Sequence, residues 1–245
     1  KVNREEGGKN LLPWMPRFIR NKVSDKVFRD SMQGHMVHMG LVEDKPALLE
    51  SWSLKLLDVL ETHFTQYDYL LGGRPCVADY GLLGLMFGHL NRDPWPKREW
   101  IDPRPNLQKW VERTSSGEKA KGDYLPNDEI PSTVMPIVKI IFEEYLPLMD
   151  KTVNAVSSII EKNQLKSGDP LPRSTSNVSF TMLDGEYSRN SFIYSVWRMQ
   201  RLQKIVSQFS QEDKKTLNNW LAEQGQPDYL TQDFGHELKR HGLTA

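Results

Sequence analysis

Between Leu70 and Tyr80 the chain reads Leu-Leu-Gly-Gly-Arg-Pro-Cys-Val-Ala-Asp-Tyr, and the apolar residues Leu82, Leu83, Leu85, Met86, Phe87 and Leu90 follow. A glycine turn thus runs into a helix start that carries an aspartate in its first turn. A helix start leaves backbone N–H groups without partners, and a carboxylate three residues past the cap takes one of them back. That device matters most where water cannot reach. The apolar run behind it marks an interior helix, expected over Val77 to Leu90, and commits the chain to a bundle of helices packed around it.

Helical periodicity supplies the neighbours. Leu11 to Pro16 is apolar, with Trp14 between two prolines, and a helix is expected from Arg17 to about Met39, with Gly40 suited to its end. Its apolar side includes Phe18, Ile19, Val23, Val27, Phe28, Met32, Met36 and Met39. Asp44-Lys45-Pro46 opens the next helix, in which Leu49, Trp52, Leu56, Leu57, Leu60 and Phe64 recur up to about Thr65. A proline-rich loop runs from Asp93 to Pro105, and Asn106 to Arg113 makes a short helix with Leu107, Trp110 and Val111 inward.

After a polar stretch, a long helical pattern extends from Pro131 to about Asn163, and Pro147 should kink or divide it. Val178, Phe180 and Met182 alternate with polar residues ahead of Asp184-Gly185, the signal of a hairpin. Ser191 to Phe209 returns to helix, and Ser210 starts one more that ends near Gly225. The last twenty or so residues show no periodicity. The expected organisation is a linker over 1–10, a helical domain over 11–116, a loop over 117–130, a helical extension over 131–225 with a hairpin near 178–188, and a tail over 226–245.

The 245 residues carry 32 lysines and arginines against 32 aspartates and glutamates. That balance lacks the basic excess of a nucleic-acid binder, although it leaves room for a local patch. The single cysteine, Cys76, forbids an internal disulfide and fits a reducing compartment. A cytoplasmic or organelle-interior location is therefore expected, not secretion, despite the glycosylation triplet Asn177-Val178-Ser179. No apolar run approaches the ~20 residues needed to cross a bilayer. The chain opens on Lys1 rather than methionine, and the expectation is a processed chain or part of a longer one.

The segment Gly72-Gly73-Arg74-Pro75-Cys76-Val77-Ala78-Asp79 resembles the signature of the all-helical C-terminal domain of glutathione transferases, where Gly-x-x-x-Ser/Thr-x-Ala-Asp opens the central buried helix. Pro105-Asn106-Leu107-Gln108-Lys109-Trp110-Val111-Glu112-Arg113 is similar to the family's next helix. The resemblance covers roughly Leu11 to Ser116, with a looser one from Glu143 to Arg201. It implies an all-α fold: a glutathione-transferase C-terminal-type bundle, here with a C-terminal helical extension and a small β-hairpin. One departure is Cys76, which stands where the family has serine or threonine. A thiol is a weak acceptor, so the cap should be weaker by about 1 kcal/mol and Asp79 should carry more of it.

In the resembled family the glutathione site and the activating residue lie in a thioredoxin-like N-terminal domain. No βαβ-ββα pattern occurs in this chain, so no catalytic residue is carried over. What the resemblance implies is the co-substrate side of a glutathione-dependent transferase, with glutathione as co-substrate of the complete enzyme, no cofactor in this chain, and a thioredoxin-like partner upstream or in trans. Trp14, Arg17, Phe18 and Arg20 lie where the family's first C-terminal-domain helix faces the interdomain cleft. By the resemblance they form a wall of the electrophile pocket or a domain interface without ligand, and the remaining reading is a simple solvated helix end. The competing class is a non-catalytic scaffold in a larger assembly, with Trp95 and Trp100 as anchors. A homodimer fits the enzyme.

Cys76 and Asp79 are read as a structural cap. A helix N-terminus favours thiolate, but the resemblance implies a buried position, and the nearby Asp79 would oppose a negative charge. His35 and His38 are spaced i, i+3 with no adjacent carboxylate, and Met32, Met36 and Met39 around them suit a core or pocket lining better than a metal site. Glu143 and Glu144 point about 100° apart on a helix and make a poor acid–base pair.

Overall fold

The computed structural model describes residues 5, 8, 9, 12–41, 45–183 and 185–240, with the side chains of 28–35 outside that description. Helices dominate, and two antiparallel strands form the single sheet among the described residues. The chain divides into two compact units, Lys1–His35 with Pro46–Val138, and Met36–Lys45 with Lys139–Ala245. Expectations that rest on Leu11, Asp44, Asp184 or the side chains of Phe28, Met32 and His35 fall outside the described residues.

The first unit holds most of α1 (Arg17–His38), α2 (Lys45–His63), α3 (Val77–Leu85) and α4 (Pro105–Ser116). The signature helix starts at Val77 as its sequence requires, but beyond Leu85 it widens into a π turn over Met86–Leu90. The proline-rich stretch is more ordered than a loop: a single turn at Pro94–Pro96 leads into a π turn at Lys97–Ile101. Leu57, Leu60, Met86, Ile101, Leu107, Trp110 and Val111 are buried together as the core. Phe64 stacks on Trp110, with centroids 4.9 Å apart and planes 13° apart. The polar stretch after α4 is tied down by backbone. Gly73 N–H donates to Asp123 O at 2.8 Å, and Leu125 N–H donates to Leu71 O at 3.1 Å. Gly73 and Gly122 face each other so closely that a Cβ on Gly73 would lie 2.8 Å from the Gly122 Cα.

The second unit is built on α6 (Leu146–Lys162), the strands β1 (Ser174–Met182) and β2 (Gly185–Phe192), then α7 (Ile193–Ser207) and α8 (Gln211–Glu223). The long helical pattern before Asn163 is divided: α5 (Met135–Ile140), a π turn at Ile141–Tyr145, then α6 with Pro147 in its first turn. Proline lacks the N–H that a continuous helix needs there, and the wide turn just ahead of it absorbs the break.

The hairpin is longer than the 178–188 read from the sequence. Val178, Phe180 and Met182 all point inward, as their alternation requires. A register shift between Ser174 and Asn177 changes the phase, so that Thr175 is buried as well. Its hydroxyl accepts the Ser191 N–H at 3.2 Å, and Thr152 Oγ1 donates to Ser191 Oγ at 2.8 Å, which leaves this polar pocket satisfied. Gly40 sits at φ 74°, the left-handed conformation that ends a helix, and a Cβ there would meet Ser188 O at 2.1 Å.

The aperiodic tail is also packed, through Tyr229, Phe234 and Leu238. One side chain pairs three of its backbone groups. Gln200 Nε2 donates to Phe234 O at 3.1 Å and to His236 O at 2.8 Å, while Leu238 N–H donates to Gln200 Oε1 at 3.0 Å. Replacing Gln200 by leucine keeps the volume and leaves these three groups without partners. The expected cost is about 2 kcal/mol, with the tail becoming sensitive to limited proteolysis; a tail as resistant as the wild type's would contradict this reading.

Candidate functional site

The Asp79 side chain is fully buried in the first unit. Three donors from three segments converge on its carboxylate. Cys76 N–H donates to Oδ2 at 2.9 Å, Leu70 N–H to Oδ1 at 3.1 Å, and Trp110 Nε1–H to Oδ1 at 2.9 Å. The glycine turn, the start of α3 and the middle of α4 are therefore joined at one charge. Cys76 caps α3 from an extended backbone, and both halves of a capping box are in place. The two halves differ in strength: the carboxylate half is charge-assisted, whereas sulfur is a weak partner. The Cys76 thiol also donates to Oδ2 at 3.2 Å. Burial pushes the thiol above its ordinary pKa, and the adjacent Asp79 charge pushes the same way. Those conditions disfavour thiolate and leave the cysteine a poor nucleophile.

α4 is held by two further carboxylates, both from α2. Glu61 accepts N–H bonds from Asn106 at 3.0 Å and Leu107 at 2.8 Å, and so caps the helix from outside its own sequence. Arg104, nearly buried, donates through Nε at 2.9 Å and Nη2 at 2.6 Å to Asp58 Oδ1. At the other end Arg113 donates to Asp68 O and lies over the Tyr69 ring, 5.3 Å from its centroid. Leu107, Trp110 and Arg113 of the Pro105–Arg113 segment thus each have a physical task, in the core, on Asp79 and on Asp68.

His63 is also fully buried. The Tyr69 carbonyl can only accept, so Nε2–H donates to it at 3.0 Å; Nδ1 then accepts from the Thr133 hydroxyl at 2.7 Å. Burial holds His63 below the ordinary imidazole pKa, against the pull of the Tyr69 carbonyl and the Asp79 charge. Thr133 also lines a groove of about 550 Å³ along α2, walled by Leu54, Val59 and Pro136 with Lys55 and Thr62 at its polar side. No sequence signal pointed to this groove, because Leu54, Lys55 and Val59 read as an ordinary mixed helix face.

None of Trp14, Arg17, Phe18 and Arg20 lines that groove. Trp14 and Phe18 are each 75% exposed. Arg17 Nη2 donates to Glu5 Oε1 at 2.7 Å in open solvent, and Arg20 Nε is buried without a hydrogen-bond partner among the described residues. Large apolar side chains are also uncovered on α3 and the turn after it: Val77 at 89%, Tyr80 at 57%, Leu85 and Phe87. Trp95 is exposed and meets Trp100 edge to face, with centroids 5.6 Å apart. Among the described residues no group of three His, Cys, Asp or Glu side chains could hold a metal ion. His38 Nδ1 is taken by Asn190 Nδ2 at 3.1 Å. No helix among the described residues is long and apolar enough to cross a membrane.

Residues 44–118 match the family model of the glutathione S-transferase C-terminal domain. Both motif segments, Gly72–Asp79 and Pro105–Arg113, lie inside the match, and the likeness of this stretch to that domain is shown. The Leu11–Met39 portion of the expected resemblance lies outside it. Neither the curated proteins nor the solved structures contain a match to this chain.

Two measurements test the site. Asp79→Ala leaves one buried and two half-buried donors unpaired and should cost about 3 kcal/mol, read as the urea midpoint, with Asp79→Asn in between; a loss below about 1 kcal/mol would show that the carboxylate does not organise this unit. His63 binds a proton less readily folded than unfolded, so its contribution is complete above an unfolded pKa of about 6.5 and is lost as pH falls below it. The urea midpoint should therefore drop between pH 7.5 and 5.5, and His63→Gln should flatten that drop; an unchanged profile in the variant would contradict the assignment.

Proposed function

We propose that this chain supplies the helical, co-substrate-binding half of a glutathione-dependent transferase. The observation that carries the reading is the match of residues 44–118 to the C-terminal domain of that superfamily. The uncovered apolar side chains of Trp14, Phe18, Val77 and Tyr80 support it, because a domain built to face another one leaves such surface open. The thioredoxin-like half would lie upstream or on a separate chain and hold glutathione as its thiolate. In this chain, Trp14 and Phe18 would receive the apolar part of an electrophile, with Arg17 and Arg20 placing positive charge beside it. The glutathione sulfur then attacks the electrophilic carbon, a C–S bond forms and the leaving group departs with its electron pair. Holding the two reactants together supplies much of the acceleration, so no residue of this chain needs a catalytic role. A reducing compartment and a homodimer accompany this reading.

A scaffold role within a larger assembly is the competing reading, and the exposed Trp95 packed edge-on against Trp100 favours it. Size-exclusion chromatography of native extract separates the two: a free dimer supports the enzyme, and persistent co-elution with a large complex supports the scaffold.

The 245-residue chain should show no turnover above background with glutathione and a chloronitrobenzene electrophile. It should bind the electrophile alone, with Phe18→Ala and Trp14→Ala each weakening binding roughly tenfold. Turnover by the isolated chain would show that it holds its own glutathione site and would overturn this division of labour.

A further inference from the structure

In the second unit, α7 buries Ile193, Val196, Met199, Gln200 and Val206 on one side. The opposite side is not bare polar surface. Leu202 is 41% exposed, Ile205 51%, and Phe209, just past the helix end, 41%. Their spacing of i, i+3 and i+7 places them in one ridge along the helix. At the other end of α7 the aromatic surface is covered by the chain itself, since the Arg240 guanidinium lies over the Tyr194 and Trp197 rings at 5.3 and 5.7 Å. Among the described residues no cation lies over the ridge in the same way.

The charges that α7 itself carries have one sign, with Glu212 and Asp213 following just past Phe209. From Tyr187 to Phe209 the sequence carries Arg189, Arg198, Arg201 and Lys204 and no aspartate or glutamate, in a chain whose totals balance. Lys204 is paired with Glu237 at 2.6 Å and drops out of the count. Arg198 and Arg201 are exposed, beside the ridge, and paired with no carboxylate among the described residues. Arg201 is held over Trp197 at 5.0 Å, which orients its guanidinium in advance.

We propose that this ridge is a docking surface for an acidic amphipathic helix of a partner protein. The apolar strip would lie in the groove of that helix, and flanking Asp or Glu side chains would take Arg198 and Arg201. Charge complementarity selects the acidic partner. A membrane surface fits less well, because an interfacial helix sinks a broad apolar face into the lipid, whereas most of the apolar side of α7 is committed to the core. A strip three residues long makes a small interface of the weak, transient kind. This inference does not depend on the transferase reading, and its readout is not turnover.

The test uses the whole chain and a fluorescein-labelled peptide of about 18 residues, long enough to form a helix, with leucines at helical spacing flanked by glutamates. A second peptide has lysine in place of each glutamate, and phosphatidylcholine vesicles with phosphatidylserine serve as the third probe. The glutamate peptide should bind, and added salt should weaken it. The pair Arg198→Glu and Arg201→Glu should weaken it roughly tenfold or more, as should Ile205→Ser; all are surface changes, and an unchanged thermal midpoint verifies their folding. The lysine peptide should not bind. Failure of the glutamate peptide to bind, equal binding of both peptides, or indifference to these substitutions would overturn the proposal. Vesicle binding that depends on the same residues would reassign the face to a membrane and overturn it too.

Discussion

One buried carboxylate organises the first unit. Isolated in a protein interior, the Asp79 charge would cost several kcal/mol to desolvate. It is tolerated because three N–H donors reach it, one each from the glycine turn, the helix cap and the Trp110 indole. Each charge-assisted bond returns about 1.5–3 kcal/mol, so the net gain is modest. The asymmetry is what matters: the carboxylate and the Trp110 indole are buried and the Leu70 and Cys76 amides half-buried, so removing the acceptor strands all three donors. A cluster of this kind specifies one arrangement of its segments more than it adds bulk stability.

The rest of the unit follows from that arrangement. With Trp110 fixed by its indole, its ring can stack on Phe64 and close the core over Leu57, Leu60 and Met86. The start of α4 is set by Glu61 and its approach by Arg104 on Asp58. Three carboxylates from α2 and α3 thus place a twelve-residue helix. The two motif segments within residues 44–118 meet physically, since Asp79 of the first accepts the Trp110 indole N–H of the second. The open apolar surface on α3, with Val77 and Tyr80, lies next to this frame.

Much of this was legible in the sequence, for identifiable reasons. The interior helix start at Cys76–Asp79, the helix of Pro105–Arg113, the break at Pro147 and the alternating Val178, Phe180 and Met182 are local signals, and the structure keeps each of them. Partners distant in sequence were not legible. Nothing around Glu61 announces that it caps a helix 45 residues later, and Gln200 gives no hint that it satisfies the tail. The π turns after Leu85 and before Leu146 also escape periodicity, because one extra residue per turn shifts the pattern without erasing it. Trp14, Arg17, Phe18 and Arg20 were singled out from the resemblance, and nothing local in the sequence told that the first three stand exposed and Arg20 half-buried.

The Trp110 indole N–H reports most directly on the carboxylate that this account places at the centre of the unit. Native-state hydrogen exchange by NMR reads it, together with the Cys76 and Leu70 amides. If Asp79 joins these segments, all three protons should exchange only through global opening of the unit, with the same free energy as its unfolding by urea. Exchange of the indole proton within minutes, while the amides of α2 stay protected, would show that the three segments are held by something else.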